Sequence, residues 1–572
     1  MTGTAPSQAR TIAALGLLMG VQLAATAHLG WRAGTHIEEI AGLLERAPER
    51  IGAGAAEAAT ADGQWHLRAS RHLPTWGLVH GDGAFTPLMV DGHIGALPYT
   101  LHRIAAHFGG LEAARLLSWL LGAALLLGTW LLGRMVGGAA VGWLAALAVA
   151  LSPQVTFMYH WAHVEEQVSA GLPVFAALAL CRQRQQGGGR WLVVAGGLLG
   201  LSVAAKNTAA WTVLAMVVSA WSLDLWPRCR PRTWALALAA GALPLLPQLA
   251  YLLHSTDSEA FWQRLANLPR PEEFFAADRL AFFAEHFAVT FGALGEYIAE
   301  LTGANPEPPS AWALAAGGLV GLASCALPLL CWHKAVPRPM RALGACVGLL
   351  ELQYLAFYYT GMSLFGLLAP WIPLALAATV VLAWRAAEVL GRRGQPPARA
   401  LLVACALYIA AIQVGQSWHM QAAYARPAHA VFDLQGQRRL VAAAMAHGAT
   451  TLWTTTYDIA GVPDLLSKGR LRGRNLFATF WDVVSASEER PERYDEAWRQ
   501  ALDRMPPGRH LLALVPQPAT IEVSPCRDGA QIARRLAGVA KERGATLRHI
   551  ADVPLRTGAV GWRLVELELM AQ

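Results

Sequence analysis

Within the nine residues YHWAHVEEQ, Tyr159 to Gln167, stand His160, His163, Glu165 and Glu166, set between the apolar runs ALAVALSPQVTFM and VSAGLPVFAALAL. Imidazoles and carboxylates accept protons and bind hard or borderline cations, but His-x-Glu-Glu is not a specific metal-ligand spacing. The plain alternative is a solvated turn. Lys206, in LSVAAKNTAAW, is flanked by small and apolar residues. An ammonium there either snorkels to an interface or meets an anion. Glu351, in GACVGLLELQYLAFYY, is an acid inside an apolar run, where burial raises its pKa or demands a partner. Further acids come early in the chain: Glu38 and Glu39 in THIEEIAGLL, and Asp82 and Asp91 in HGDGAFTPLMVDGH, which also holds His93. Glutamates on an amphipathic helix usually form its wet face, and Gly-flanked aspartates usually build turns.

What must position these groups is a membrane scaffold. Of 572 residues 55% are hydrophobic and only 15% charged, with a mean hydropathy of +0.34. Both values lie outside the soluble range, and a polytopic α-helical membrane protein follows. Runs able to cross roughly 30 Å of hydrocarbon are read at 11–31, 113–133, 138–157, 166–182, 190–205, 207–225, 233–254, 311–332, 341–359, 362–384 and 399–417. That predicts about eleven transmembrane helices. Arg134, Arg182, Arg184, Arg190, Arg228, Arg230, Arg232, Lys334, Arg338, Arg341, Arg385, Arg392, Arg393 and Arg399 fall in alternate loops. Basic loops stay on the cytoplasmic side, so the N-terminus is expected inside and the C-terminus outside. The net charge of +7 is then a topology signal and no footprint of nucleic-acid binding. The first run ends at Ala25-Thr26-Ala27, a small-x-small pattern, but its apolar length favours an uncleaved anchor. Six of the seven cysteines lie in or beside helices, leaving Cys526 alone outside, so no structural disulfide is expected.

The predicted division is a transmembrane core over 1–417, with large outer loops at 32–112 and 255–310, and an extracytoplasmic α/β domain over 418–572. In the first loop, Ile37, Ile40, Leu43 and Leu44 recur at helical spacing, as do Ile94, Leu97, Leu101, Ile104 and Ala105. Both stretches suit helices lying on the membrane. The second loop mixes Phe261, Trp262, Phe274, Phe275, Phe282 and Phe283 with acids and predicts one or two interfacial helices capping a cavity. Beyond residue 418, ATTLWTTTYDIAGV, RHLLALVPQP and WRLVELEL read as strands, alternating with helical RRLVAAAMAHG and DGAQIARRLAGVAKERGA. Tyr457, Asp458, Asp464, Lys468 and Arg470 cluster there without a nucleophile elbow, P-loop or dinucleotide fingerprint. Acceptor binding or capping of the core is the expected role of that part.

Three features together resemble the GT-C superfamily of polyprenyl-phosphate-sugar-dependent glycosyltransferases, in the branch of protein O-mannosyltransferases, aminoarabinose transferases and rhizobial lipopolysaccharide sugar transferases. One is FGGLEAARLLSWLLGAALLLGTWLLGRMVGGAAVGWLAALAVALSP after a first helix and a long loop. The second is the Gly-rich helix ending in a lysine, GGLLGLSVAAKNTAAWTVL, and the third is LAPWIPLALAA, here without the Arg-Tyr pair that often precedes it. The likeness covers roughly residues 11–385. It implies a GT-C membrane core with a cavity at the outer leaflet, and a first-loop acid as base for the acceptor hydroxyl. The family's Asp-Glu pair is replaced by Glu38 and Glu39, with its Asp in register near Ala33 or Gly34, so Asp82 and Asp91 stay open as alternative bases. By the same resemblance Lys206 contacts lipid phosphate and the turn holding His163, Glu165 and Glu166 faces the cavity; these three and His93 are the candidate substrate-binding residues. The first three could also join a first-loop acid around a divalent cation bridging the donor phosphate.

The expected function is inverting transfer of a sugar from a polyprenyl-phosphate donor to a lipid, glycan or protein acceptor on the outer face of a bacterial inner membrane. A noncatalytic subunit that binds or assembles lipid-linked glycan is the alternative. A transporter or flippase fits less well, since it predicts related halves and polar groups at the midplane.

Overall fold

The computed structural model describes residues 96–155, 164–206, 209–222, 229–246, 287–301, 309–326, 336–357, 372–425, 434–455, 470–476, 491–503, 505–515, 529–555 and 558–570, with a few isolated positions between. The predicted anchor at 11–31 and the first outer loop up to residue 95 lie outside them.

The helical part begins with α1, Ala96–Gly137, one helix of 42 residues where the sequence predicted an interfacial helix followed by a separate span. Pro98 falls in its first turn, where a missing N–H breaks no helical bond. Gly109 and Gly110 lower propensity by only about 1 kcal/mol each, which does not end a helix of this length. There follow α2 (Ala139–Leu151), α3 (Val164–Gln186), α4 (Arg190–Ala205), α5 (Ala209–Ser222) and α6 (Pro231–Ala242). A π turn, Val289–Ala293, leads into α7 (Leu294–Leu301), and α8 (Ala311–Ala326), α9 (Arg338–Phe357), α10 (Ile372–Arg392) and α11 (Pro396–Ala425) complete the set. Helix α10 extends eight residues past the predicted end at 384 because its polar turn is internally paired: Arg385 Nη1 lies 2.5 Å from Glu388 Oε2.

Among the described residues three helices are long and apolar enough to cross a membrane: Leu116–Gly137, Ile372–Arg392 and Pro396–His419. Ala139–Leu151, Arg190–Ala205, Ala209–Trp221 and Ala311–Ala323 are shorter and apolar. Their common core joins Leu125, Leu126 and Trp130 of α1 to Val149 of α2, Val174 of α3, Val347 and Leu350 of α9 and Leu374 of α10. Leu236, Leu238, Leu322, Leu401 and Leu407 point outward, and Trp221, Trp312 and Trp418 are exposed near helix ends. Indoles at such ends suit the membrane–water interface.

The C-terminal part is a five-stranded mixed sheet of β1 (Thr451–Thr454), β2 (Arg472–Asn475), β3 (Gly508–Leu514), β4 (Thr546–Pro554) and β5 (Val560–Leu569). In space the order is β2-β1-β3-β5-β4. The first three strands are parallel, and β5 runs antiparallel to both its neighbours. Its helices are α12 (Leu434–Ala446), α13 (Pro491–Asp503) and α14 (Gly529–Glu542). On the rim Arg563 Nε donates to Asp552 at 2.9 Å and holds that carboxyl below its usual range.

Strand β2, RGRN, escapes sequence reading because it is a short polar strand at the sheet edge, paired to β1 among the described residues. Helix α13 was missed in the sequence reading, although Tyr494, Ala497, Trp498, Ala501 and Leu502, all buried, repeat at helical spacing. Trp498 is fully buried and its indole N–H donates to the Ile532 carbonyl at 2.7 Å, tying α13 to α14. Trp498→Ala is therefore expected to destabilise this part by about 3–5 kcal/mol, seen as a lowered midpoint in a thermal melt.

Candidate functional site

Helix α4 carries Lys206 at its end, and glycines set where that end lies. A Cβ on Gly196 would stand 2.3 Å from the Ala237 carbonyl oxygen of α6, and one on Gly200 2.1 Å from that of Gly241. No side chain fits there, so GGLLG is a backbone-to-backbone helix contact of the small-xxx-small kind. Gly200→Leu is expected to force α4 and α6 apart and abolish recovery of folded, monodisperse protein, measured by fluorescence size-exclusion chromatography.

Lys206 itself is the C-cap of α4, in extended backbone with φ −151° and ψ 124°. Its N–H donates to the Ser202 carbonyl at 3.1 Å, and its carbonyl accepts from the Ala209 N–H at 2.9 Å. The residue is only 7% exposed. A cation at a helix C-terminus also gains from the helix dipole.

The last turn of α4 is tied to the first turns of α3. Ser202 Oγ donates to the Ser169 carbonyl at 2.8 Å, and Val168 and Ala205 pack together with Leu97, Leu101, Leu121 and Leu172. Gln167 Nε2 donates to Ser118 Oγ of α1 at 2.6 Å. The start of α3, the end of α4 and the middle of α1 thus converge at one end of the bundle. Glu165 and Glu166 belong to the first turn of α3, directly before Gln167. The fold brings that turn and the cap bearing Lys206 together, although they are 40 residues apart in sequence. His163, Glu38, Glu39, Asp82, Asp91 and His93 lie outside the described residues. Glu351 is buried in α9. Among the described residues, no three His, Cys, Asp or Glu side chains are grouped to hold a metal ion.

Sequence reading missed a second polar group at the same end. Gln413, Gln416 and Ser417 lie at positions i, i+3 and i+4 of apolar α11, a stripe that was visible in IQVGQSW. Gln413 Nε2 donates to the Phe291 carbonyl in the π turn. Gln416 and Glu296 bond reciprocally: the Glu296 N–H donates to Gln416 Oε1 at 2.9 Å, and Gln416 Nε2 donates to Glu296 Oε1 at 2.8 Å. Ser310 donates its hydroxyl to Glu296 Oε1 at 3.0 Å and its backbone N–H to Glu296 Oε2. Ser417 Oγ donates to the Leu151 carbonyl, closing α2, at 3.4 Å. The loop 255–310 was expected to hold interfacial helices. Its described end is packed inside the bundle, with Phe287, Val289, Phe291, Ala293 and Leu294 buried, because those residues form an apolar face matching α8 and α11.

No protein-family model and no curated protein matches the chain. Solved structures do. ArnT from Cupriavidus metallidurans in the apo state superimposes with a TM-score of 0.53 at 12% identity, covering 97% of this chain and 97% of that one. The same protein bound to undecaprenyl phosphate gives 0.49 at 12% identity, over 98% of each chain. The archaeal oligosaccharyltransferase AglB from Archaeoglobus fulgidus gives 0.47 at 12% identity, over 96% of this chain and 74% of that one. The apo ArnT superposition shows that the chain shares the fold of that protein along nearly its whole length.

Proposed function

We propose that the chain is an inverting membrane glycosyltransferase, moving a sugar from a polyprenyl-phosphate donor to a lipid, glycan or protein acceptor at the outer face of a bacterial inner membrane. The observation that carries this reading is a buried lysine capping α4 beside the first turn of α3, in a chain with the ArnT fold. Transfer from a lipid phosphate needs a cation where the leaving phosphate gathers charge and a carboxylate to take the acceptor proton. Lys206 takes the first role. The second falls to an acid of the first outer loop, Glu38 or Glu39, with Asp82 and Asp91 as alternatives. His93, His163, Glu165 and Glu166 contact donor or acceptor, and the last three also offer ligands for a divalent cation bridging the donor phosphate.

The test is transfer of radiolabelled sugar from polyprenyl-phosphate donors by purified protein to a membrane-extract acceptor pool. Label appearing in acceptor supports the transferase. Donor binding without transfer, in a pool of adequate acceptor coverage, supports instead a subunit that holds lipid-linked glycan. Inclusion of a chelator decides the cation: a loss of transfer restored by Mg²⁺ or Mn²⁺ places a metal in the reaction.

A further inference from the structure

Resting on the transferase reading, we propose that Glu296 is a positioning residue, whose carboxyl clasps the corner between α7 and α8 against α11 and so holds the end of the bundle where Lys206 lies. Glu296 is 9% exposed and Gln416 2%, so the clasp is built into the interior and is no surface contact. Three elements converge on one carboxyl group. Two donors come from Ser310, which also caps α8 by accepting the Ala313 N–H at 3.3 Å, and one comes from Gln416 of α11. The backbones are equally close: a Cβ on Gly295 would stand 1.8 Å from the Gln416 carbonyl oxygen. Such contact leaves α7 no alternative seat on α11 without breaking the bonds.

The clasp is continuous with the candidate site. Gln416 is followed by Ser417, whose hydroxyl reaches the last carbonyl of α2, and the chain leaving α2 enters α3 at the turn holding Glu165 and Glu166. The start of α3 is in turn bonded to the last turn of α4, which Lys206 caps. Glu296 reaches the site only through these elements. Its loss therefore acts on geometry, and misplacement of reacting groups by about 1 Å costs on the order of a hundredfold in rate.

The bonding pattern supplies its own test. In Glu296→Gln the new amide cannot satisfy all its partners: with its oxygen toward Gln416 its NH2 faces the Ser310 backbone N–H, and with its oxygen toward Ser310 its NH2 faces that of Gln416. In Gln416→Glu two carboxyl groups face each other. The double variant Glu296→Gln/Gln416→Glu restores every bond with the roles exchanged, since a Ser310 hydroxyl accepts as readily as it donates. Each single variant is expected to lower kcat by about ten- to a hundredfold with KM for donor little changed, and to speed amide hydrogen exchange over 294–313. The double variant is expected to recover both rate and protection. Singles with wild-type kcat, or a double variant as slow as Glu296→Gln, overturn the proposal; the latter means that a carboxyl at 296 is itself required. Wild-type protein without transfer activity overturns the transferase reading and the positioning role with it, whereas the exchange pattern independently reports whether the clasp forms.

Discussion

Removing a single carboxylate is expected to produce the largest loss of activity. Among Glu38→Gln, Glu39→Gln, Asp82→Asn, Asp91→Asn and Glu166→Gln, one should lower kcat by about 10²–10⁴-fold, the range for losing a general base, while the rest stay within about tenfold. Amide replacements keep volume and one acceptor oxygen and remove only proton affinity and charge, so a selective loss reports chemistry and not packing. The base is distinguished from a metal ligand by the metal response. A base variant is insensitive to added Mn²⁺, whereas a ligand variant regains part of its rate as metal concentration rises, because ligand loss weakens affinity first. If all five variants retain activity within tenfold, the proton acceptor lies elsewhere, and first-loop catalysis falls for this chain.

Lys206→Ala is expected to reduce transfer by about a hundredfold or more, the scale seen when one preorganised donor to a developing oxyanion is removed. Size exclusion separates this from a folding defect. The position of α4 is secured by Gly196 and Gly200 against α6 and by the Ser202–Ser169 bond, none of which uses the lysine side chain. Lys206→Ala should therefore elute as wild type from size exclusion while losing affinity for donor and rate together. Lys206→Arg keeps the charge but exchanges a compact ammonium for a planar fork, so partial activity is expected. A lysine that merely snorkels would leave donor affinity in Lys206→Ala unchanged, which overturns the phosphate assignment.

The membrane class was legible because hydrocarbon demands long apolar runs whatever the packing: the predicted 190–205 coincides with α4, and 311 and 399 fall at or within a few residues of the starts of α8 and α11. Strands β1, β3 and β5 were legible from apolar content, since each lies in the buried middle of its sheet. Lys206 stood out because a charge inside an apolar run is costly, and that cost is written locally.

Pairings between distant segments were not legible. Nothing local in LGEYIAEL says that Glu296 will meet Gln416, 120 residues away, or that Ser310 will donate to it. A polar side chain in an apolar helix announces that it needs a partner, but the partner is chosen by which helix faces close on each other. The closeness of Lys206 to the first turn of α3 has the same origin. Composition and periodicity determined which segments are helices and which residues need explaining, because burial and charge act residue by residue. Which of those residues meet was decided by tertiary packing alone, through backbone contacts at Gly200 and Gly295 that admit one approach of the helices and exclude the others.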